Sequence, residues 1–261
     1  MSKRGLNNIR GQVTVFIIIA MMVVVILVVI LMMNLQKNAG ISVNPSEDPK
    51  GYIQDCAIKS VREAELKIIA QGGFLKPSSA IRFDNTNVTW MCYTPFNEQL
   101  CVNKHPLLTG EIENEIKIII TPKIEACFSK LKDTFRNYEY KEESLTVNPL
   151  ITAGFLKIEI RKKISMKAQD ETNLEFDNFD AKLTSPLYSF TQIENRVIRE
   201  ELSCDCTEEV CNADILGINY DNRNFETRRF VTGKNEKIYS IKEISTAKQF
   251  NFAVRNCVRL P

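Results

Sequence analysis

"GFLKIEIRKKISM" (154–166) is the stretch on which the fold turns. Leu156, Ile158 and Ile160 alternate with Lys157, Glu159 and Arg161. That period of two suits a strand with one buried face and departs from the 3.6-residue period of a helix. Outward from it, "SLTVN" (144–148) reads as a second strand, and "NLEFDNFDAKL" (173–183) is expected to return as a partner across the "KAQDET" turn. Ser185-Pro186 then opens a helix that buries Leu187, Phe190, Ile193, Val197 and Leu202. Beyond a cysteine cluster, "DILGINYDN", "RRFVTG", "KIYSI" and "QFNFAVRN" read as short strands joined by polar turns.

On the N-terminal side the pattern is helical. Asp48 offers an N-cap with Pro49 at the first helical position, and Ile53, Cys56/Ala57, Val61, Ala64 and Ile68 recur on one face. Gly72-Gly73 closes this helix as a C-cap. A second helix is expected from about Glu111 to Asp133, with Ile112, Ile116, Ile119/Ile120, Ile124, Cys127/Phe128 and Leu131 as its stripe and a kink at Pro122. Between the two lie extended pieces, "AIRF", "NVTWMCY" and "QLCV". The predicted fold class is thus α+β, with antiparallel β structure and amphipathic helices, over a domain at 49–261 with possible lobes at 49–140 and 141–261.

A different pattern precedes it. Val13 to Met33 is 21 residues with Thr14 alone weakly polar and no charge. At ~1.5 Å per residue such a helix spans the roughly 30 Å bilayer core, so one N-terminal transmembrane helix is expected over 12–34, in contact with the lipid bilayer. Lys3, Arg4 and Arg10 precede it, which places a basic leader (1–11) in the cytoplasm and the C-terminal domain outside the cell membrane, joined by a linker at 35–48. The apolar run is longer than that of a cleavable secretory signal, so it is read as a signal-anchor. The chain has 34 basic and 32 acidic residues and a mean hydropathy of −0.16. That balance gives no reason to expect a nucleic-acid partner.

All eight cysteines (Cys56, Cys92, Cys101, Cys127, Cys204, Cys206, Cys211, Cys257) follow the apolar run, on the side expected to be oxidising. They are read as disulfide candidates, with free cytosolic thiols as the alternative. Cys56 and Cys127 sit mid-way along the two helical patterns, and a bridge stapling those helices is the first reading. Cys92 and Cys101 bracket a turn and suit a local clasp. Cys204, Cys206, Cys211 and Cys257 have a C-x-C-x4-C spacing that admits a zinc tetrathiolate. Asp205, Glu208 and Glu209 nearby disfavour thiolates, so disulfides are preferred and no metal or cofactor is expected.

Catalytic signatures are missing. The single histidine, His105, precedes Pro106 in a loop, and neither a nucleophile elbow nor a P-loop, H-E-x-x-H or G-x-G-x-x-G motif is present. Glu113/Glu115 and Glu142/Glu143 read as solvated charges, and Trp90 as a core or sheet residue rather than a ligand platform. Asn87-Val88-Thr89 is a glycosylation sequon. The expectation is a membrane-anchored extracellular structural, adhesion or binding module without catalytic activity. Self-association or a surface protein would supply its partner.

The junction "RGQVT" (10–14) before the apolar run resembles the class III, type IV prepilin-like signal of archaeal surface proteins. That resemblance implies cleavage between Gly11 and Gln12 by a prepilin-type peptidase, with the apolar helix kept on the mature chain. It also implies a second reading, a major or minor pilin-like subunit of a type IV pilus-type filament. Pilin-type subunits commonly carry glutamate at the fifth mature position, where this chain has Phe16. Further on, "YIQDCAIKSVREAELKIIAQGGFLKP" (52–77), "CYTPF" (92–96) and "IEACFSKL" (124–131) resemble uncharacterised membrane-anchored proteins of small-genome archaea, a group that implies no activity.

Overall fold

The computed structural model describes residues 17–28, 43–168, 173–204, 206, 217–232, 234 and 236–258. They fall into two units, divided between Ser42 and Val43.

In the first unit the described residues form one helix, α1 (17–28), whose apolar side chains are about half exposed or more. No helix among the described residues is long and apolar enough to cross a membrane. The transmembrane helix expected over 12–34 is corrected on that finding, and its residues 12–16 and 29–34 lie outside the described residues. Gly11 and Gln12 lie outside the described residues.

The second unit begins with α2 (Pro49–Ile69), whose N-cap Asp48 accepts a hydrogen bond from the Gly51 amide at 2.8 Å. Gly72 and Gly73 follow its C-cap with φ of +78° and +96°, and the Gly73 amide donates back to Ile68 at 2.8 Å. A Cβ on Gly73 would stand 2.6 Å from the Ile112 side chain, so glycine is needed here for two reasons. α3 (Leu108–Thr134) runs as one helix through Pro122, and the Thr121 hydroxyl donates to the Lys117 carbonyl at 2.7 Å in the turn before it. The third helix is α4 (Leu187–Leu202).

Two sheets flank these helices. The smaller is organised by β6 (Phe155–Lys167), with β4 (Glu139–Glu142) and β5 (Thr146–Thr152) along one edge and β7 (Asn173–Asn178) and β8 (Ala181–Thr184) along the other. Pro149 pairs with Ile158, and it is tolerated because β5 is an edge strand. The larger sheet has the order β1 (Ala80–Phe83), β2 (Thr86–Tyr93), β12 (Gln249–Arg255), β11 (Lys237–Glu243), β10 (Arg223–Val231), β9 (Ile218–Tyr220), with β3 (Val102–Asn103) also on β2. β12 and β2 are parallel, so the expected antiparallel β structure is corrected to a mixed sheet. The domain is α+β.

One core joins the layers. Phe190 of α4 meets Phe225 and Phe250 of the larger sheet at 5.6 Å, and Phe128 of α3 meets Phe179, between β7 and β8, at 5.1 Å. Each such buried ring or branched chain contributes roughly 1.5–3 kcal/mol. Disulfides join Cys56 to Cys127, Cys92 to Cys101, and Cys206 to Cys257, with Cα separations of 6.6, 5.4 and 5.0 Å.

Candidate functional site

Strand register builds one apolar row on the outer face of the larger sheet. Phe230 pairs with Ile238, Ile238 with Ala253, and Ala253 with Trp90, so four strands present their side chains in line. A surface row of this kind would ordinarily face water, yet Ile238 and Ala253 are fully buried and Trp90 is 6% exposed. The cover comes from the β1–β2 hairpin. Its two-residue turn, Asp84-Asn85, has φ of +44° and +61°, the left-handed pair that matches strand twist in tight hairpins. The Phe83 ring from the first strand in sheet order lies 5.2 Å from the Phe230 ring of the fifth. The sheet therefore curls until the hairpin folds over its own outer face. Val88, Trp90, Ile238 and Ala253 form a small second core there, with Ile81, Phe83 and Tyr93 packed on it.

Where the curl fails to close, it leaves a cleft of about 640 Å³. Ala80, Ile81 and Arg82 of β1 form one wall, and Trp90 and Tyr93 of β2 the floor. Thr232, Lys234 and Glu236, from the β10–β11 turn, form the opposite wall. The volume lies within the usual range for small-ligand and short-peptide sites. The Trp90 and Tyr93 rings are 5.2 Å apart, and the Arg255 guanidinium lies 6.0 Å from the Tyr93 centroid. Arg255 also donates to the Thr94 carbonyl and to Asn97 Oδ1 at 3.0 Å, which fixes the segment after Tyr93. Glu236 accepts from the Thr232 hydroxyl at 3.2 Å, so the carboxylate is held to its own turn. Arg82 and Lys234 line opposite walls of the cleft, and the Arg82 guanidinium donates to Asn85 Oδ1 at 3.4 Å in the hairpin turn.

A second cluster lies at the start of α3. His105 Nδ1 and Glu111 Oε2 are 2.6 Å apart, and the imidazole packs 4.7 Å from the Phe74 ring. Across from them Glu194 of α4 is fully buried, with no hydrogen-bond partner on either carboxyl oxygen. Burial, and secondarily the charge of Glu111, push its carboxyl up to about 8. Among the described residues no group of His, Cys, Asp or Glu is arranged to hold a metal.

The remaining sequence-predicted residues are dispersed. Asn87 is exposed on β2, while the Thr89 hydroxyl of its sequon is buried and donates to the Gln71 carbonyl. Glu113 and Glu115 are not a pair: the first accepts from the Ile151 amide at 2.7 Å, the second from the Leu75 amide at 2.8 Å. Glu142 bridges Lys132 and Lys162. Cys206 joins Cys257 rather than a metal site, and Cys211 lies outside the described residues. Sequence reasoning passed over Lys234 and Arg82, since a lysine in a polar turn and an arginine on a short strand carry no local signal.

No protein-family model matches the chain, and no curated protein or solved structure matches it significantly.

Proposed function

We propose that the domain at 43–261 is a binding module of an oxidising, extracytoplasmic environment, and that the cleft between β1 and the β10–β11 turn is its ligand site. The observation that carries this reading is the lining itself: a paired aromatic floor, with Arg82 and Lys234 on opposite walls and Glu236 as the one carboxylate among the lining residues. Aromatic floors give area at low entropic cost, and flanking cations orient an anionic group. The three disulfides among the described residues support the choice of compartment, because such bonds persist where thiol reductants are scarce. Binding is favoured over catalysis because His105, the single histidine, is engaged by Glu111, and among the described residues no hydroxyl or thiol nucleophile is bonded to it.

Trp90 is the only tryptophan of the chain and lies in the cleft floor, so its emission reports occupancy directly. Panels of acidic peptides and acidic oligosaccharides titrated against the oxidised protein should include one class that shifts Trp90 emission and the amide resonances of Arg82, Tyr93 and Lys234 together. If every class leaves those four signals unmoved, the cleft is not a ligand site.

A further inference from the structure

Resting on that reading, we infer that the occupant of the cleft is an extended peptide segment carrying an acidic side chain, which adds to β1 as a further strand of the larger sheet. The hairpin closes with Phe83 opposite Thr86, and Ile81 pairs with Val88. The Trp90 amide donates to the Ser79 carbonyl at 3.1 Å, which fixes the phase of the ladder. Antiparallel pairs alternate between hydrogen-bonded and non-bonded, so Ser79, Ile81 and Phe83 turn their amides and carbonyls toward β2. Ala80 and Arg82 therefore turn theirs the other way. β1 is the first strand of the sheet, and nothing among the described residues bonds to the backbone of Ala80 or Arg82 on that side. Both residues line the cleft. A row of unpaired strand groups opening into a cavity is the geometry of strand addition.

Charge selects the occupant. In an added strand the residue opposite Arg82 projects on the Arg82 face, and an acid there makes a favourable cross-strand pair. The residue opposite Ile81 projects on the other face, toward the small core that Ile81 shares with Trp90, and an apolar side chain suits it. Lys234 on the far wall adds to the field that draws an acidic segment in. A second copy of this chain is disfavoured at the same edge, because it would bring another Arg82 to a strand of only four residues.

The test uses the oxidised full chain and four synthetic peptides. They are acetyl-(Asp-Val)4-amide, its Lys-Val counterpart, and the acidic peptide N-methylated at every second amide, prepared in both registers. The acidic peptide should shift Trp90 emission and slow hydrogen exchange at the Ala80 and Arg82 amides about tenfold, with the lysine peptide binding at least about tenfold more weakly. One methylation register should abolish binding and the other should not. Ala80→Pro removes an outward donor without touching the β2 ladder, so it should weaken binding while leaving the melting temperature nearly unchanged. Equal binding of both methylated registers would overturn strand addition and leave a side-chain-reading cleft standing. Failure of the unmethylated acidic peptide would also overturn it, and the oligosaccharide titrations would then decide the cleft separately.

Discussion

Glu194 and Glu201 lie seven residues apart on the buried face of α4, both fully withdrawn from solvent, and only Glu201 is paired. Lys237 Nζ donates to both oxygens of Glu201 at 2.9 and 2.8 Å, and the Tyr239 hydroxyl donates to one of them. Asn256 adds a bond from Nδ2 to the Glu201 carbonyl at 2.6 Å and, through Oδ1, accepts from the Cys101 amide at 2.8 Å. The end of α4 is thereby tied to β11, to the C-terminal segment and to the cysteine clasp at once. Removing one partner of such a buried pair strands the other charge, at a cost of roughly 3–5 kcal/mol. Glu201→Ala should therefore lower stability by about that amount in urea unfolding, and a loss under about 1 kcal/mol would show that Lys237 reaches water instead.

Glu194 sets the response to alkali. Its folded value of about 8 stands above the ordinary 4.5, so between those limits the folded chain holds a proton that the unfolded chain has released. Stability then falls as pH rises through this window, by about 1.4 kcal/mol per unit, and the loss is complete above about pH 8. Glu194→Gln removes the titration while keeping the shape. Thermal melts should coincide near pH 5 and diverge in favour of the variant by pH 8, whereas parallel curves would mean that Glu194 ionises in the normal range. Glu142 works in the opposite sense. Hydrogen bonds from Lys162 and Lys132 hold its carboxyl below the ordinary value, so its contribution is present above the unfolded value and is lost on acidification.

Much of the fold is legible because its patterns are local. The alternation in β6 survives as Leu156, Ile158 and Ile160 buried and Lys157 and Glu159 half-buried, since a strand with one covered face needs no distant information to be recognised. The stripe of α3 is legible for the same reason, and Pro122 did not interrupt it because the flanking turns are fixed by Ile116, Ile120 and Ile124 in the core. The parallel pairing of β2 with β12 joins segments some 160 residues apart and leaves no mark on either. The buried glutamates were equally hidden: Glu65 is held by Lys248 at 2.6 Å and Ser185 at 2.6 Å, partners far off in the chain. A signal existed in their placement, for Glu65 falls inside the Val61, Ala64, Ile68 stripe. The cleft was illegible, because it arises from how far a sheet curls.

The disulfides should differ in worth according to the loops they close. Cys56–Cys127 spans 71 residues and Cys92–Cys101 spans 9. Chain entropy assigns about 4.4 kcal/mol to the first and about 2.6 kcal/mol to the second. Replacing both members of each pair with alanine should lower the melting temperature more for the helix staple than for the clasp. The reverse order would indicate that α2 and α3 stay associated in the unfolded chain.

Gly73 follows α2 in close contact with α3. Its φ of +96° excludes most side chains, and an added methyl would stand 2.6 Å from the fully buried Ile112. Gly73→Ala should cost about 1–3 kcal/mol from backbone strain and overpacking together. Gly110, with open space around a Cβ, provides the control. Gly110→Ala within α3 should stabilise by about 0.5–1 kcal/mol.

The Phe83–Phe230 contact holds the hairpin over the cleft, and its removal separates curl from core. The rings are 5.2 Å apart, and Phe230 is 41% exposed, so the pair contributes less than a buried aromatic contact. Phe83→Ala should cost about 1 kcal/mol or less of global stability. Its effect on the cleft should be larger, because Trp90 depends on the hairpin for cover. Trp90 emission should move to longer wavelength, and acrylamide quenching should rise from that of a nearly buried indole toward that of an exposed one. Ile81→Ala, on the same face of β1 but without the ring contact, should give a smaller shift. If Phe83→Ala leaves both emission and quenching unchanged, the hairpin is held by its β2 pairing alone, and the cleft wall is rigid rather than hinged at the Asp84-Asn85 turn.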